Sequence, residues 1–147
     1  MNPPIRVLIH GASGRMGQAL LRLCAEQPRC QVVAAVTRKA PAQRVVEGVP
    51  FFAASELSGV PAFDVAIDFS LPEGFDPLLA LCVARGAALV SGTTGLDAPQ
   101  RAALASAATT LPVLWASNFS LGVAVLAELV ERAAAALPGW DCDVIEA

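Results

Sequence analysis

Histidine occurs once in these 147 residues, at position 10, which leaves too few imidazole ligands for a protein-built zinc site. The four cysteines, at 24, 30, 82 and 142, form no CxxC pair and are too scattered for a disulfide scaffold. Cys24 and Cys82 fall on apolar faces of predicted helices, where burial as small hydrophobes is expected. An excess of positive charge is missing too. Ten Lys and Arg against thirteen Asp and Glu give a net charge of −3, which argues against a general nucleic-acid surface and leaves room for a local anion site. Although 55% of the residues are hydrophobic, charges interrupt every long apolar run, so no stretch approaches the ~20 apolar residues of a membrane span. The amino terminus lacks the basic opening of a signal peptide, and the cytoplasm is the expected location.

What is present is an alternation of apolar strands and helical faces, without internal repeats or a low-complexity linker. Residues 5–9 read as a short buried strand that runs into Gly11-Ala12-Ser13-Gly14-Arg15-Met16-Gly17. The following helix places Met16, Ala19, Leu20, Leu23 and Cys24 on one face and ends before Pro28; residues 31–36 form the second strand. Residues 40–48 leave room only for a short helical turn, and 49–52 for a short strand. The segment 63–69, bounded by Pro61 and Pro72, is a better strand. Beyond it, Phe75, Leu78, Leu79, Cys82 and Val83 make a helical face that Gly86 terminates. A strand over 87–90 follows, then a helix over 98–108 capped by Asp97, a strand over 112–116 and a long helix over 120–137. Pro138-Gly139 breaks that helix before a final strand candidate over 142–146. This order predicts an α/β fold, Rossmann-like, with a mostly parallel sheet and helices on both faces. Residues 1–147 are expected to form one dinucleotide-binding domain.

The glycine run carries the first functional reading. Gly11 allows a tight turn after the strand, Gly14 leaves room for a phosphate, and Gly17 lets the helix pack closely. The helix start then aims unpaired amides at a pyrophosphate. The spacing is GxxGxxG, and its place at the first strand-to-helix junction is what gives it meaning; a compact turn without ligand is the alternative. At the end of the second strand, where an NAD-favouring site commonly carries an acid, the chain has Thr37-Arg38-Lys39. Arg38 can grip a 2′-phosphate with its charged fork, so NADPH is expected to be favoured over NADH, with a solvated basic loop as the plainer reading. His10, at the end of the first strand, is read as structural or as cofactor packing, with no adjacent nucleophile.

Three later loops fall at predicted strand ends: Asp68-Phe69-Ser70-Leu71-Pro72, Ser91-Gly92-Thr93-Thr94-Gly95 and Ser117-Asn118-Phe119-Ser120. In a parallel sheet, ligands gather at those ends, and hydroxyls, an amide and aromatic surface suit a nicotinamide ring and a small carboxylated substrate. Turn formation and helix capping are the alternative explanation for the same residues. Together with the glycine run, Ala116 to Gly122 and the ending Ile145-Glu146-Ala147, these loops closely resemble the 4-hydroxy-tetrahydrodipicolinate reductase family, historically the dihydrodipicolinate reductases of lysine biosynthesis. The resemblance covers essentially the whole chain.

The resemblance implies an NAD(P)H-dependent oxidoreductase acting on a small dicarboxylate, with this chain supplying the cofactor-binding part. Gly11, Gly14, Arg15, Met16 and Gly17 would form the dinucleotide cradle, and Thr37 and Arg38 would lie beside the adenosine ribose. Gly92 and Thr94 would face the nicotinamide or substrate, Ser117, Asn118 and Phe119 the nicotinamide, and Thr93 and Thr94 the substrate carboxylates. Arg15 has the plainer alternative of fixing the glycine loop, and Phe119 that of packing. In the family a histidine-rich stretch with the proposed acid, a substrate-binding lysine and a β-rich substrate and tetramerisation domain follow Ile-Glu-Ala, and the full-length enzyme is a homotetramer. Those elements would lie beyond Ala147, so no residue here is assigned as catalytic; Asp68 and Glu146 are the nearest acids, with strand or loop structure an equal reading. A freestanding dinucleotide-binding or regulatory module without turnover is the competing function.

Overall fold

In the computed structural model, which describes residues 3–143 and 145, the apolar run Ile5–His10 forms β1, and alternation sends its side chains to opposite faces of a sheet. Val7 and Ile9 join one apolar cluster and Leu8 the other. The parallel strands β2 (Cys30–Thr37) and β5 (Val65–Asp68) flank β1 on either side. With β3 (Val45–Val46), β4 (Val49–Ala53), β6 (Ala88–Ser91) and β7 (Val113–Trp115), the seven-stranded order is β3-β4-β2-β1-β5-β6-β7. Only β3 and β4 pair antiparallel. The chain extends the sheet outward from β1 to one side and then returns to β1's other side with β5, so the direction of strand addition reverses at the β1–β5 boundary.

Helices cover both faces, as an all-but-parallel sheet requires. On one side α1 (Arg15–Ala25) sets Leu20, Leu21 and Cys24 against Val7, Ile9 and Ala35. On the other, α2 (Pro72–Arg85) and α3 (Ala98–Ala107) bury Phe75, Leu78, Leu79, Cys82 and Leu104 against Leu8, Val36, Ala66 and Leu89. Each of these large aliphatic or aromatic side chains contributes about 1.5–3 kcal/mol on full burial. Pro72 opens α2 where its missing N–H is harmless, and Gly86, with φ of 63°, closes it in the left-handed conformation expected of a helix-terminating glycine. Burial in this apolar layer, reinforced by the nearby Asp68 charge, pushes the Cys82 thiol up to about 12.

Four expectations need correction. The buried stripe of α1 runs through Gly17, Leu20, Leu21 and Cys24, with Cys24 only half-buried, while Met16 and Leu23 are exposed. The helix is rotated by about one position because Gly17 must face the preceding turn. Val83 of α2 is likewise exposed. The segment 40–48 contains no helical turn; it enters a hairpin whose two-residue loop, Glu47-Gly48, has φ of 50° and 81° and fits the positive-φ turn that follows strand twist. A 3-10 helix, Ala54–Gly59, was not expected from the sequence. Of the final strand candidate, Cys142, Asp143 and Ile145 are not in a strand, and Val144 and Glu146 lie outside the described residues.

The chain divides into two units, one ending at Ser117 and the other starting at Asn118. The second contains α4 (Leu121–Ala136), whose first turn is capped by the Ser120 hydroxyl accepting from Val123 N–H at 3.4 Å. Within the first unit, the Asp97 carboxylate accepts from Gln100 N–H at 2.8 Å, and the Gln100 amide oxygen accepts in return from Asp97 N–H at 3.2 Å. Gln100 Nε2 also donates to Pro72 O at 2.9 Å, so this cap ties α3 to the start of α2. Replacing Asp97 with Ala should therefore lower unfolding stability by about 1 kcal/mol; urea denaturation monitored by far-ultraviolet circular dichroism checks it, and an unchanged midpoint would show that the cap contributes nothing.

Candidate functional site

Three adjacent parallel strands end on polar residues. Register places His10 of β1 opposite Asp68 of β5, and Asp68 opposite Ser91 of β6. All three are buried, Asp68 and Ser91 completely. The Asp68 carboxylate lies 2.9 Å from His10 Nδ1 and accepts from Ser91 Oγ at 2.9 Å, from Thr93 Oγ1 at 2.8 Å and from Ser70 N–H at 3.1 Å. Burial pushes its pKa up, but the hydrogen bonds from His10, Ser70 and Thr93 outweigh burial and hold the carboxyl below its ordinary range. A fully buried anion is tolerable here because four donors, from two strand ends and two loops, converge on it.

This polar row fixes the loops above it. Gly11 has φ of 79°, and a Cβ there would come within 2.5 Å of Phe69 O, so the glycine turn and the loop after β5 touch through backbone. Gly11 and Ala12 N–H both donate to Val36 O at 3.0 Å, binding the turn to the end of β2. A Cβ on Gly17 would meet Gly11 O at 2.3 Å and Ala12 Cα at 2.6 Å, which makes this glycine obligatory for seating α1 on the turn. Gly14 differs: a Cβ there would find only Gly11 O, at 3.3 Å, and its surroundings are otherwise open. Gln18 N–H, donating to Gly14 O at 2.9 Å, is the first to close a helical ring, so the amides of Arg15, Met16 and Gly17 precede the ladder as a helix start requires.

A cavity of about 370 Å³ lies between the two loops, lined by His10, Gly11, Ser13, Gly14, Phe69 and Ser70 and closed by Arg38 and by Glu73 and Gly74 of α2. It occupies the β1–β5 boundary at the carboxyl ends of the strands, where an open parallel sheet places its ligand crevice. A second cavity of about 460 Å³ adjoins it, sharing Ser13 and Arg38 and extending along Thr37, Lys39 and Phe51. The Thr37 hydroxyl donates to Lys39 O at 2.7 Å, with Phe52 O at 3.2 Å, and so shapes the turn that carries the exposed Arg38. The fit of a dinucleotide rests on these features together: an open glycine above free helix-start amides, two joined cavities, and a guanidinium at their junction.

The remaining candidate residues separate by what holds them. A Cβ on Gly92 would fall 2.2 Å from the Phe69 ring, so Gly92 makes room for that ring. Thr93 is buried, its hydroxyl on Asp68, its N–H on Ser91 Oγ at 3.2 Å and its carbonyl accepting from Trp115 Nε1 at 3.0 Å; the loop's exposed hydroxyl is Thr94. Arg15 and Met16 are exposed on the first turn of α1, and Ser117 is exposed just beyond β7. Asn118 and Phe119 belong to the second unit, where the Asn118 side-chain oxygen accepts from Ser120 N–H at 2.6 Å ahead of α4. Glu146 lies outside the described residues. The sequence reading missed the joint role of His10, Asp68, Ser91 and Thr93; the available signal was that three neighbouring strands each finish on a polar side chain. Among the described residues, no cluster of His, Cys, Asp and Glu can hold a metal ion, and no helix is long and apolar enough to cross a membrane.

Comparison with known proteins agrees with this fold. Residues 5–119 match the family model described as dihydrodipicolinate reductase, N-terminus. A 4-hydroxy-tetrahydrodipicolinate reductase from Stenotrophomonas maltophilia is 78% identical over 144 residues, 97% of this chain and 60% of the relative. The enzyme of the same name from Xylella fastidiosa is 66% identical over 146 residues, 99% of this chain and 62% of the relative. The chain thus spans about three-fifths of the length of these curated relatives. A solved dihydrodipicolinate reductase from a Paenisporosarcina species, bound to dipicolinate, superposes with a TM-score of 0.73 at 26% identity, covering 90% of this chain and 54% of that one. An engineered D-amino acid dehydrogenase bound to NADP+ shares the fold with a TM-score of 0.59 at 22% identity, covering 91% of this chain and 42% of that one.

The buried carboxylate generates a stability prediction. Because its folded pKa lies below the unfolded value, the stability it confers is present above the ordinary carboxylate range near about 3.9 and is lost as pH falls through the folded value. Asp68→Asn removes the charge and turns one acceptor into a donor facing donors; a loss of about 1.5–3 kcal/mol at pH 7 is expected. The difference between wild type and variant should shrink on acidification below that range, and chemical denaturation from pH 7 to pH 3 measures it; a pH-independent gap would refute the charged form as the source.

Proposed function

The chain belongs to the dihydrodipicolinate reductase family, and from that premise we propose that it binds NAD(P)H in the β1–β5 crevice and serves the reduction of 4-hydroxy-tetrahydrodipicolinate to tetrahydrodipicolinate. The observation that carries the proposal is the cavity enclosed by the glycine turn and the loop after β5, at the point where the sheet reverses its direction of growth. When bound, the dinucleotide supplies the hydride; the protein supplies binding, orientation and electrostatics.

On this reading the pyrophosphate lies over Gly14, receiving the first-turn amides of Arg15, Met16 and Gly17 at the positive end of α1. The adenosine ribose lies towards Thr37 and Arg38, whose side chain borders both cavities. No acid stands beside Arg38 in Thr37-Arg38-Lys39, so a 2′-phosphate meets attraction without a competing carboxylate at that turn. The nicotinamide end is assigned to the side of Gly92, Thr94 and Ser117. Thr94 presents its exposed hydroxyl to the dicarboxylate, while Thr93, held by Asp68, keeps the loop in shape. The solved relative bound to dipicolinate supports a dicarboxylate as the substrate class.

NADPH should bind more tightly than NADH by roughly ten- to a hundredfold, the factor expected of one charged hydrogen bond worth about 1.5–3 kcal/mol. Arg38→Ala should weaken NADPH while leaving NADH nearly unchanged. Fluorescence titration of both nucleotides against both proteins checks this. Equal wild-type affinities, unaltered by the substitution, would remove Arg38 as the selectivity determinant, and binding of neither nucleotide would remove the cofactor site.

A further inference from the structure

His10, at the end of β1, lines the crevice with a titratable side chain to which the dinucleotide reading gives no task. Its imidazole is almost wholly buried, yet it lines the cavity beside Gly11, Ser13 and Gly14. Its hydrogen bond is made through Nδ1, to Asp68 at 2.9 Å. Among the described residues Nε2 has no hydrogen-bond partner and no buried side-chain nitrogen lacks one, so Nε2 reaches the open space of the cavity. The Cε1–Nε2 edge of the ring lies beside the first turn of α2, where a Cβ on Gly74 would stand 2.8 Å from Cε1 and 3.5 Å from Nε2, and Gly74 itself lines the cavity.

The proton count of the ring follows from its fixed partner. Asp68, an ionised carboxylate already accepting from Ser91 and Thr93, can only accept, so it claims a proton on Nδ1. A neutral imidazole then presents a lone pair at Nε2 and repels phosphate oxygens. A second proton turns the same atom into a charged donor aimed into the cavity. The charged groups around the ring are Asp68 from β5, Glu73 from the first turn of α2 and Arg38 from the turn after β2. An incoming pyrophosphate adds negative charge on the open side of the ring, which favours the imidazolium.

We propose that His10 is a direct ligand of the bound dinucleotide, with Nδ1–H held on Asp68 and Nε2–H donating to a phosphate oxygen, so that cofactor binding loads a proton onto the imidazole. The proposal rests on the crevice being the dinucleotide site. It makes phosphate affinity depend on pH through a group outside the glycine turn, and it gives the buried Asp68 a second use as the fixed anchor of a cationic ligand.

The single histidine of the chain makes the test direct. With 15N-labelled histidine, the imidazole resonances are followed at pH 7.5 as NADPH is added, which requires no substitution; Nε2 should move to the protonated position. Calorimetry of NADPH binding in two buffers of different ionisation enthalpy should show up to about one more proton taken up by wild type than by His10→Gln, the nucleotide's own 2′-phosphate cancelling in the difference. Wild-type affinity should fall by up to about tenfold per pH unit on the alkaline side, relative to the variant. Binding with no excess proton uptake and an Nε2 that stays unprotonated would overturn the His10 assignment alone, including the case of a neutral ring accepting from a ribose hydroxyl. Binding of neither NADPH nor NADH would overturn it together with the site.

Discussion

The Asp68 carboxylate is the constraint around which the rest of the crevice is arranged. It sits with no exposed surface at the end of β5, where an ion without partners would cost several kcal/mol. Its partners come from β1, from β6 and from the loops that follow β5 and β6. Satisfying one charge therefore fixes the relative positions of three strand ends and two loops. The same row continues outward, since Ser91 is in register with Trp115 and the indole N–H returns to Thr93 O. A carboxylate that accepts four hydrogen bonds is a stiff junction, and two of its partners, His10 and Ser70, line the cavity.

Backbone contact does the corresponding work above the row. Gly11 lies against the Phe69 carbonyl and Gly17 against the glycine turn itself, at distances no side chain would allow. Of the three glycines in the turn, Gly14 alone leaves open space where a Cβ would stand, with only Gly11 O nearby. Three glycines that look equivalent in a motif thus divide into two that hold the loop and one that leaves room over it. Gly92 adds a fourth case, because its missing side chain is filled by the Phe69 ring. The loops that would meet the cofactor are packed on one another through backbone and ring contacts, which lowers the ordering cost of binding.

Much of this architecture was legible in the residues. Long apolar runs with proline and glycine at their ends located β1, β2, β5 and β6, and the Asp97 cap and the Gly86 stop located α3 and the end of α2. Weak signals failed where local rules competed. The rotation of α1 was set by the contact of Gly17 with Ala12, which periodicity does not encode, and the hairpin around Glu47-Gly48 was hidden because glutamate rarely takes a positive φ. In the site, the glycine run and the basic turn at Arg38 could be read directly. The charge network could not, because His10, Asp68 and Ser91 are separated by 58 and 23 residues and meet only through strand register.

By itself the sequence determined the alternation of strand and helix, the family and the place of the glycine turn, since each follows from local composition and short spacing. Tertiary structure decided which polar residues face one another, which threonine of the Thr93-Thr94 pair is exposed, and that the only histidine reaches the crevice while anchored to a buried anion. The physical reason is the parallel sheet: its strands are joined by long crossovers, so the residues that share a row at the strand ends are distant in the chain, and only their pairing brings their charges together.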